Sequence, residues 1–357
     1  MPRNISILSS NKKGFTMNLE KIDKIIQETG LPKFRSKQLV KAFFELHISS
    51  YDEISTLKKE LREELKEKYP VLTVEAVRVL KSEQGNCFKA LVKLADGNLV
   101  ETVLMEPKPG HWTTCISSQV GCTLGCSFCA TGKGGFIRNL TSEEISDQVL
   151  FWRQYAQANC PEAIPRNVVY MGMGEPFLNT KNVFASIAEL TSPDSFNMGS
   201  RHISVSTSGV LPAFDEFATK FPQVNLSVSL HASNDELRSR LMPINRTYSL
   251  ALLGKAINTY LAKTNRKLLF EYVLLEDEND SHQHAHELVK YLRTIKPSHL
   301  VHVNLIPYNK TESTHEVPSK LRVRDFQDHL QKCGITSTIR KSLGTDIAGA
   351  CGQLAGK

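Results

Sequence analysis

The chain has 357 residues, 41% of them apolar, which is enough for one large core with a smaller unit beside it. A formal charge of +7 suits a polyanionic partner and suits an ordinary basic enzyme equally well, so charge alone selects neither. Composition excludes two classes: no run approaches the roughly 18 apolar residues of a membrane helix, and eight scattered and clustered cysteines are not a short secreted disulfide scaffold.

Met1 to Met17 are polar and lack the apolar stretch of a secretory leader, so the sequence reads as cytoplasmic, with no membrane partner. Residues 18–69 carry helical spacing. Leu19, Ile22, Ile25 and Ile26 recur first, then Leu39, Val40, Phe43 and Phe44. Leu57, Leu61 and Leu65 follow, interleaved with Lys58, Lys59, Arg62, Lys66 and Lys68, and Tyr69-Pro70 stops the pattern. These basic faces read either as solvated surface or as a nucleic-acid contact. Three strands come next, Leu72–Val79, Phe88–Leu94 and Leu99–Met105, the last two joined at Asp96-Gly97. Pro107-Lys-Pro-Gly110 marks a break.

From residue 111 strands alternate with helices. Strands are predicted at Thr113–Ser118, Asn167–Met171, His202–Ser206, Asn225–Leu230, Leu268–Leu274 and His302–Ile306. Helices are predicted at Ser142–Ala156, Thr180–Leu190, Leu211–Thr219, Ser249–Ala262, Ser281–Leu292 and Arg322–Lys332. Six such repeats predict an α/β fold, a partial (β/α)6 barrel of parallel strands. The expected organisation is a helical accessory domain (1–70), a β extension or linker (71–110), and a main domain (111–357). In such barrels the loops after the strands build the active site.

The strongest signal follows the first barrel strand: Gly121-Cys122-Thr-Leu-Gly-Cys126-Ser-Phe-Cys129-Ala-Thr-Gly132. A 4Fe–4S cube takes four ligands, usually thiolates, and this loop offers three within eight residues. One iron then lacks a protein ligand and can chelate the amino and carboxylate groups of S-adenosylmethionine (SAM). A structural zinc site would want a fourth ligand, and the nearest histidine, His111, lies before the motif. Gly172, Gly174 and Glu175 end the second strand. Glycines there admit a ligand close to the backbone, and Glu175 can accept from an ammonium group or simply sit at a solvated turn. By residue type alone, Cys351 is an inert cysteine among small neighbours, Cys115 a core cysteine and Glu101 a surface carboxylate. Cys87, Cys160 and Cys333 read as structural.

The cysteine motif is that of the radical SAM superfamily, and the wider sequence resembles the RlmN/Cfr family of RNA adenosine methyltransferases. The resemblance rests on Cys115-Ile-Ser-Ser-Gln-Val-Gly-Cys122, Cys129-Ala-Thr-Gly, Arg138-Asn-Leu-Thr141 and Met171-Gly-Met-Gly-Glu-Pro176. It continues through Ser206-Thr-Ser-Gly209, Ser229-Leu-His231, Leu241-Met-Pro-Ile-Asn245, Asn304-Leu-Ile-Pro-Tyr-Asn309 and Ala350-Cys-Gly-Gln-Leu354. It implies a 4Fe–4S cluster on Cys122, Cys126 and Cys129. It implies SAM contacts at Gly174, Glu175, Ser206, Ser229, Leu230, His231 and Asn309. It further implies that Cys351 is methylated on sulfur and carries the methyl group, that Glu101 is a general base, and that Cys115 later forms a disulfide with Cys351.

The implied partners are an adenosine of 23S rRNA, tRNA as a further substrate, and a reductant feeding the cluster. One branch methylates carbon 2 and the other carbon 8, the latter conferring antibiotic resistance. Val120, Pro176 and Ser208 resemble the carbon-2 branch, whereas Pro107–Trp112 and Arg240-Leu-Met-Pro are nearer the carbon-8 branch. Carbon 2 is the expectation. Two other classes stay open at this point: a redox-sensing RNA-binding protein with no use for Cys351, and a radical SAM enzyme acting on a small molecule.

Overall fold

The computed structural model describes residues 17–356. Most of the stretch read for a leader therefore lies outside the described residues. Three helices open the described chain: α1 (Met17–Thr29), α2 (Phe34–Phe44) and α3 (Lys59–Lys68). Their predicted apolar stripes are the buried ones, with Ile22, Ile25, Leu39, Phe43 and Leu65 withdrawn from solvent.

β1 (Val74–Lys81), β2 (Cys87–Leu94) and β3 (Leu99–Lys108) form an antiparallel meander. The Pro107–Gly110 stretch is not a break. It is a tight reversal into β4 (His111–Cys115), which pairs antiparallel with β3 and parallel with β7 (Pro165–Tyr170). The meander and the barrel thus share one ten-stranded sheet of order β1-β2-β3-β4-β7-β8-β9-β10-β11-β12. Its parallel strands continue through β8 (Ile203–Thr207), β9 (Asn225–Ser229), β10 (Leu268–Leu274) and β11 (Val301–Pro307). A short parallel edge, β12 (Ser337–Ile339), adds a seventh strand too brief to show a pattern in sequence.

Helices α5 (Ser142–Asn159), α6 (Thr180–Thr191), α7 (Phe214–Lys220), α9 (Leu250–Thr264), α10 (His282–Leu292) and α11 (Lys320–Lys332) connect the strands as predicted. Three further elements carry no periodic signal. These are a separate hairpin of β5 (Gln119–Gly121) and β6 (Phe136–Asn139), the single turn α4 (Ala130–Lys133) between them, and α8 (Asp235–Leu241).

A buried polar knot fastens the helical module to the barrel. The Thr73 N–H and hydroxyl donate to Asp147 at 2.7 and 2.8 Å, and the Asn18 N–H donates to Glu189 at 3.1 Å. Burial pushes Asp147 up to about 6 and Glu189 up to about 7.

Strand alternation sets the site. Val205, Val228, Phe270, Val303 and Leu305 are buried in the main core. Between them stand polar residues whose registers align across the sheet: Ser206 opposite Ser227, Ser229 opposite Glu271, and Glu271 opposite Asn304. With a period of two, one face is apolar and the other lines a hydrophilic interior.

Candidate active site

The cysteine loop is shaped by backbone. Gly121 has φ +74°, and a Cβ built there would stand 1.9 Å from the Gly135 carbonyl oxygen. That carbonyl accepts the Cys122 N–H at 2.8 Å, and the Cys129 N–H donates to the Cys126 carbonyl at 3.1 Å. Cys122, Cys126 and Cys129 all border one cavity at the C-terminal ends of the parallel strands. Burial pushes Cys126 well above the usual thiol range and Cys122 up to about 11. Three sheltered thiols facing one space suit a bound cluster, whose positive charge would strip their protons. Among the described residues no group of three or more such side chains converges as ligands of a single metal ion. Gly121→Ala is expected to cost more than ~2 kcal/mol, from left-handed strain plus the backbone clash. Iron bound per chain after reconstitution should fall to a small fraction of wild type.

The same cavity is bordered by Gly174, Glu175, Ser206, Ser229, His231 and Asn309. Gly174, at φ +98°, presses against Gln119: an added Cβ would lie 2.5 Å from the Gln119 Cβ. Glu175 is buried and accepts the Phe177 and Ser208 N–H groups at 3.0 and 2.8 Å. Burial raises its pKa, and these hydrogen bonds oppose the rise. The Thr207 and Ser208 hydroxyls add further hydrogen bonds that favour the charged form. The Ser206 and Ser229 hydroxyls face each other at 3.5 Å. His231 is held neutral, its pKa lowered to about 3 by burial and then by Arg238. Its Nδ1 accepts the Val273 N–H at 3.0 Å, so Nε2 carries the proton and is the donor.

Leu230 departs from the expectation. Its side chain is fully buried in the main core and does not border the cavity, because it alternates with Ser229 across the strand end. Only its backbone takes part, donating to the Glu271 carbonyl at 3.0 Å.

The tail reaches the cluster loop through backbone contacts. The Ala130 N–H donates to the Gly352 carbonyl at 2.8 Å, the Thr131 hydroxyl to the Leu354 carbonyl at 2.6 Å, and Asn309 Nδ2 to the Cys351 carbonyl at 3.1 Å. Cys351 is half-buried and borders the same cavity as the three motif cysteines. Cys115 lies outside that cavity. It borders a smaller one behind, shared with Cys351, Asn309 and Arg340, and burial pushes its thiol strongly upward. All eight cysteines are free.

Glu101 also lies outside the cluster cavity. It is 1% exposed, ion-paired with Lys89 at 2.7 Å, and accepts the Ala355 and Gly356 N–H groups at 2.6 and 3.0 Å. It borders a neighbouring cavity with Ala130 and Gln353. A surface carboxylate it is not: β3 is central to the sheet, and its polar side chain needed partners.

Sequence reading passed over Glu271 and Arg340, which border the cavity too. Among the described residues Glu271 Oε2 is buried without a hydrogen-bond partner, with Arg340 Nη1 at 3.8 Å. Cys351 foremost, then Glu271 and Cys115, raise the Arg340 pKa against its burial. The available signal was a lone carboxylate inside the apolar run Leu268–Leu274.

A model described as the Radical SAM superfamily matches residues 116–289, and one described as the ribosomal RNA large subunit methyltransferase N-terminal domain matches residues 15–71. A Staphylococcus carnosus (strain TM300) protein described as "Probable dual-specificity RNA methyltransferase RlmN" is 41% identical over 96% of this chain and 92% of its own. A Staphylococcus aureus (strain Newman) protein of the same description is 40% identical over the same shares. The crystal structure of a radical SAM methyltransferase from Sphaerobacter thermophilus superposes with a TM-score of 0.89 at 40% identity, covering 95% of this chain and 98% of that one. With likeness of this degree along nearly the whole length, in sequence and in fold, the chain belongs to the RlmN family of the radical SAM superfamily.

Proposed function

We propose that this chain methylates carbon 2 of an adenosine in 23S rRNA, and of the adenosine beside the anticodon of some tRNAs, with Cys351 as the methyl carrier. The observation that carries the reading is the position of Cys351 on the wall of the cavity that Cys122, Cys126 and Cys129 border. Those three thiolates would hold a 4Fe–4S cluster, which supplies the electron that splits the SAM sulfonium and so opens a radical route. Glu175, Ser206, Ser229, His231 and Asn309 would hold SAM.

The route is needed because an adenine carbon between two nitrogens is electron-poor and does not attack a sulfonium methyl. The Cys351 thiolate does, by ordinary displacement, and Arg340 borders the same small cavity. Once the methylene carbon, as a radical, has joined the base, the adduct must lose one electron, which the cluster would take back, and one proton, which Glu101 would take from the adenine carbon. For this the Ala355 and Gly356 contacts must release its carboxylate as RNA enters. Cys115 would then attack the Cys351 sulfur: the S–S bond forms as the bond from sulfur to the methylene carbon breaks, and that carbon takes up the proton given up by the Cys115 thiol, freeing the methylated base. Such a disulfide would be transient, as a cytoplasmic setting requires.

Support for two RNA substrates comes from the words "dual-specificity" in the relatives' descriptions. Among the described residues no helix is long and apolar enough to cross a membrane. Helix α2, which carries Arg35, Lys37 and Lys41 and no acidic residue, offers phosphate contacts. A carbon-8 reading is favoured only by Arg240-Leu-Met-Pro and the Pro107–Trp112 hairpin. Mass spectrometry of nucleosides from rRNA and tRNA of an expressing strain should show 2-methyladenosine; finding 8-methyladenosine alone would overturn the choice.

A further inference from the structure

A second cavity lies at the other end of the barrel strands. It is formed where α2 meets the end of α5 and the segments leading into β7 and β8, and it holds about 720 Å³, inside the ~300–1,000 Å³ range of small-molecule sites. Pro165, which opens β7, borders it, whereas Gly172 and Gly174 beyond the other end of β7 border the cluster cavity. The two sites are therefore about one strand length, ~20 Å, apart.

Its walls are apolar and cationic. Phe44 and Phe196 stand with Arg153, Arg166, His47 and His202, and among the described residues no Asp or Glu lines it. Arg153 is the anomaly. Its guanidinium lies over the Phe196 ring, 5.0 Å from the centroid, and among the described residues it has no hydrogen bond or ion pair with the protein. Burial lowers its pKa to about 10, as for a cation that has lost water and gained no counter-charge. His47 beside it is lowered too, by burial and then by Arg153. The other sheltered arginines differ: Arg238 donates to four acceptors, and Arg340 stands beside Glu271. Arg166 is exposed at the rim and adds a second guanidinium.

We propose that this cavity binds the phosphate group of a nucleotide, with Arg153 as the inner contact and Arg166 as the outer one. A guanidinium presents paired donors that match phosphate oxygens, and the apolar walls suit the organic part of the ester. A free nucleotide and the backbone of a bound RNA share this chemistry. The site stands apart from the reaction at the cluster, so it does not depend on which carbon is methylated.

The test is calorimetric titration of the cluster-loaded protein with SAM saturating and no reductant, so that the cluster cavity is filled. The probes are inorganic phosphate, AMP and a short single-stranded RNA. At least one should bind, and Arg153→Gln and Arg166→Gln should each weaken it by ~10-fold or more, the scale of a lost charge-assisted contact. A response to AMP or phosphate assigns a free nucleotide; a response to RNA alone assigns its backbone. Arg166 is exposed, so its variant decides the matter even if Arg153→Gln fails to fold. No binding of any probe, or binding unchanged in the folded variants, overturns the proposal.

Discussion

Cys351→Ala should abolish methyl transfer to RNA, a loss of at least ~10³-fold, while the reconstituted iron–sulfur absorbance stays at the wild-type level. The contrast follows from how the tail is held. Its contacts to the cluster loop run through the carbonyls of Gly352 and Leu354 and its contact to Asn309 through the carbonyl of Cys351, all of which survive loss of the thiol. The tail should therefore stay in place, without its nucleophile. A protein that used the cluster only to sense redox state would keep its RNA function in this variant. Cys115→Ala probes the opposite end of the sequence. Cys115 shares a cavity with Cys351 but not with the motif cysteines. If it releases the product, its alanine variant should retain RNA covalently on Cys351, visible as a shifted band on a denaturing gel. Free methylated RNA at the wild-type rate from either variant would refute the carrier mechanism.

What could be read in advance divides along a physical line. The six β/α repeats were legible because each strand is a run of apolar residues and each helix buries a periodic stripe. The cysteine motif was legible because its chemistry is local, compressed into one loop. Cys351 was legible only through resemblance: nothing in Gly-Ala-Cys-Gly tells that the tail folds back more than two hundred residues to meet Ala130. The β5–β6 hairpin and α8 escaped because three- to seven-residue elements show no period. The Pro107–Gly110 stretch misled for a related reason. Proline and glycine mark a turn, but whether a turn separates units or reverses one sheet depends on what the next strand pairs with. Glu101 and Leu230 show the same limit at single residues: one was drawn inward by Lys89 and the tail amides, the other turned into the apolar core, away from the cavity, by strand alternation.

Arg238→Met should lower stability by ~3–5 kcal/mol, on the order of 10 °C in Tm. Arg238 is fully buried, yet no carboxylate lies within ion-pair distance among the described residues. Instead its guanidinium closes three chain segments. Nη2 donates to the carbonyls of Ser208 at 2.7 Å and Ser229 at 3.1 Å, Nε to that of Leu230 at 3.1 Å, and Nη1 to Asn245 Oδ1 at 3.0 Å. The first three are the ends of β8 and β9, whose serines face the cavity. A methionine fills much of the volume but leaves those acceptors without donors in a dry interior, at ~1–3 kcal/mol for each one not rescued by water. The damage should also be functional. Ser206 and Ser229 are held face to face by strands that Arg238 ties beyond their ends, so SAM affinity should fall together with stability. Arg238→Lys separates charge from geometry, since an ammonium cannot span four acceptors. It should recover only a minor part of the loss in thermal denaturation and in SAM titration. A methionine variant melting within about 2 °C of wild type would show that the loops hold themselves.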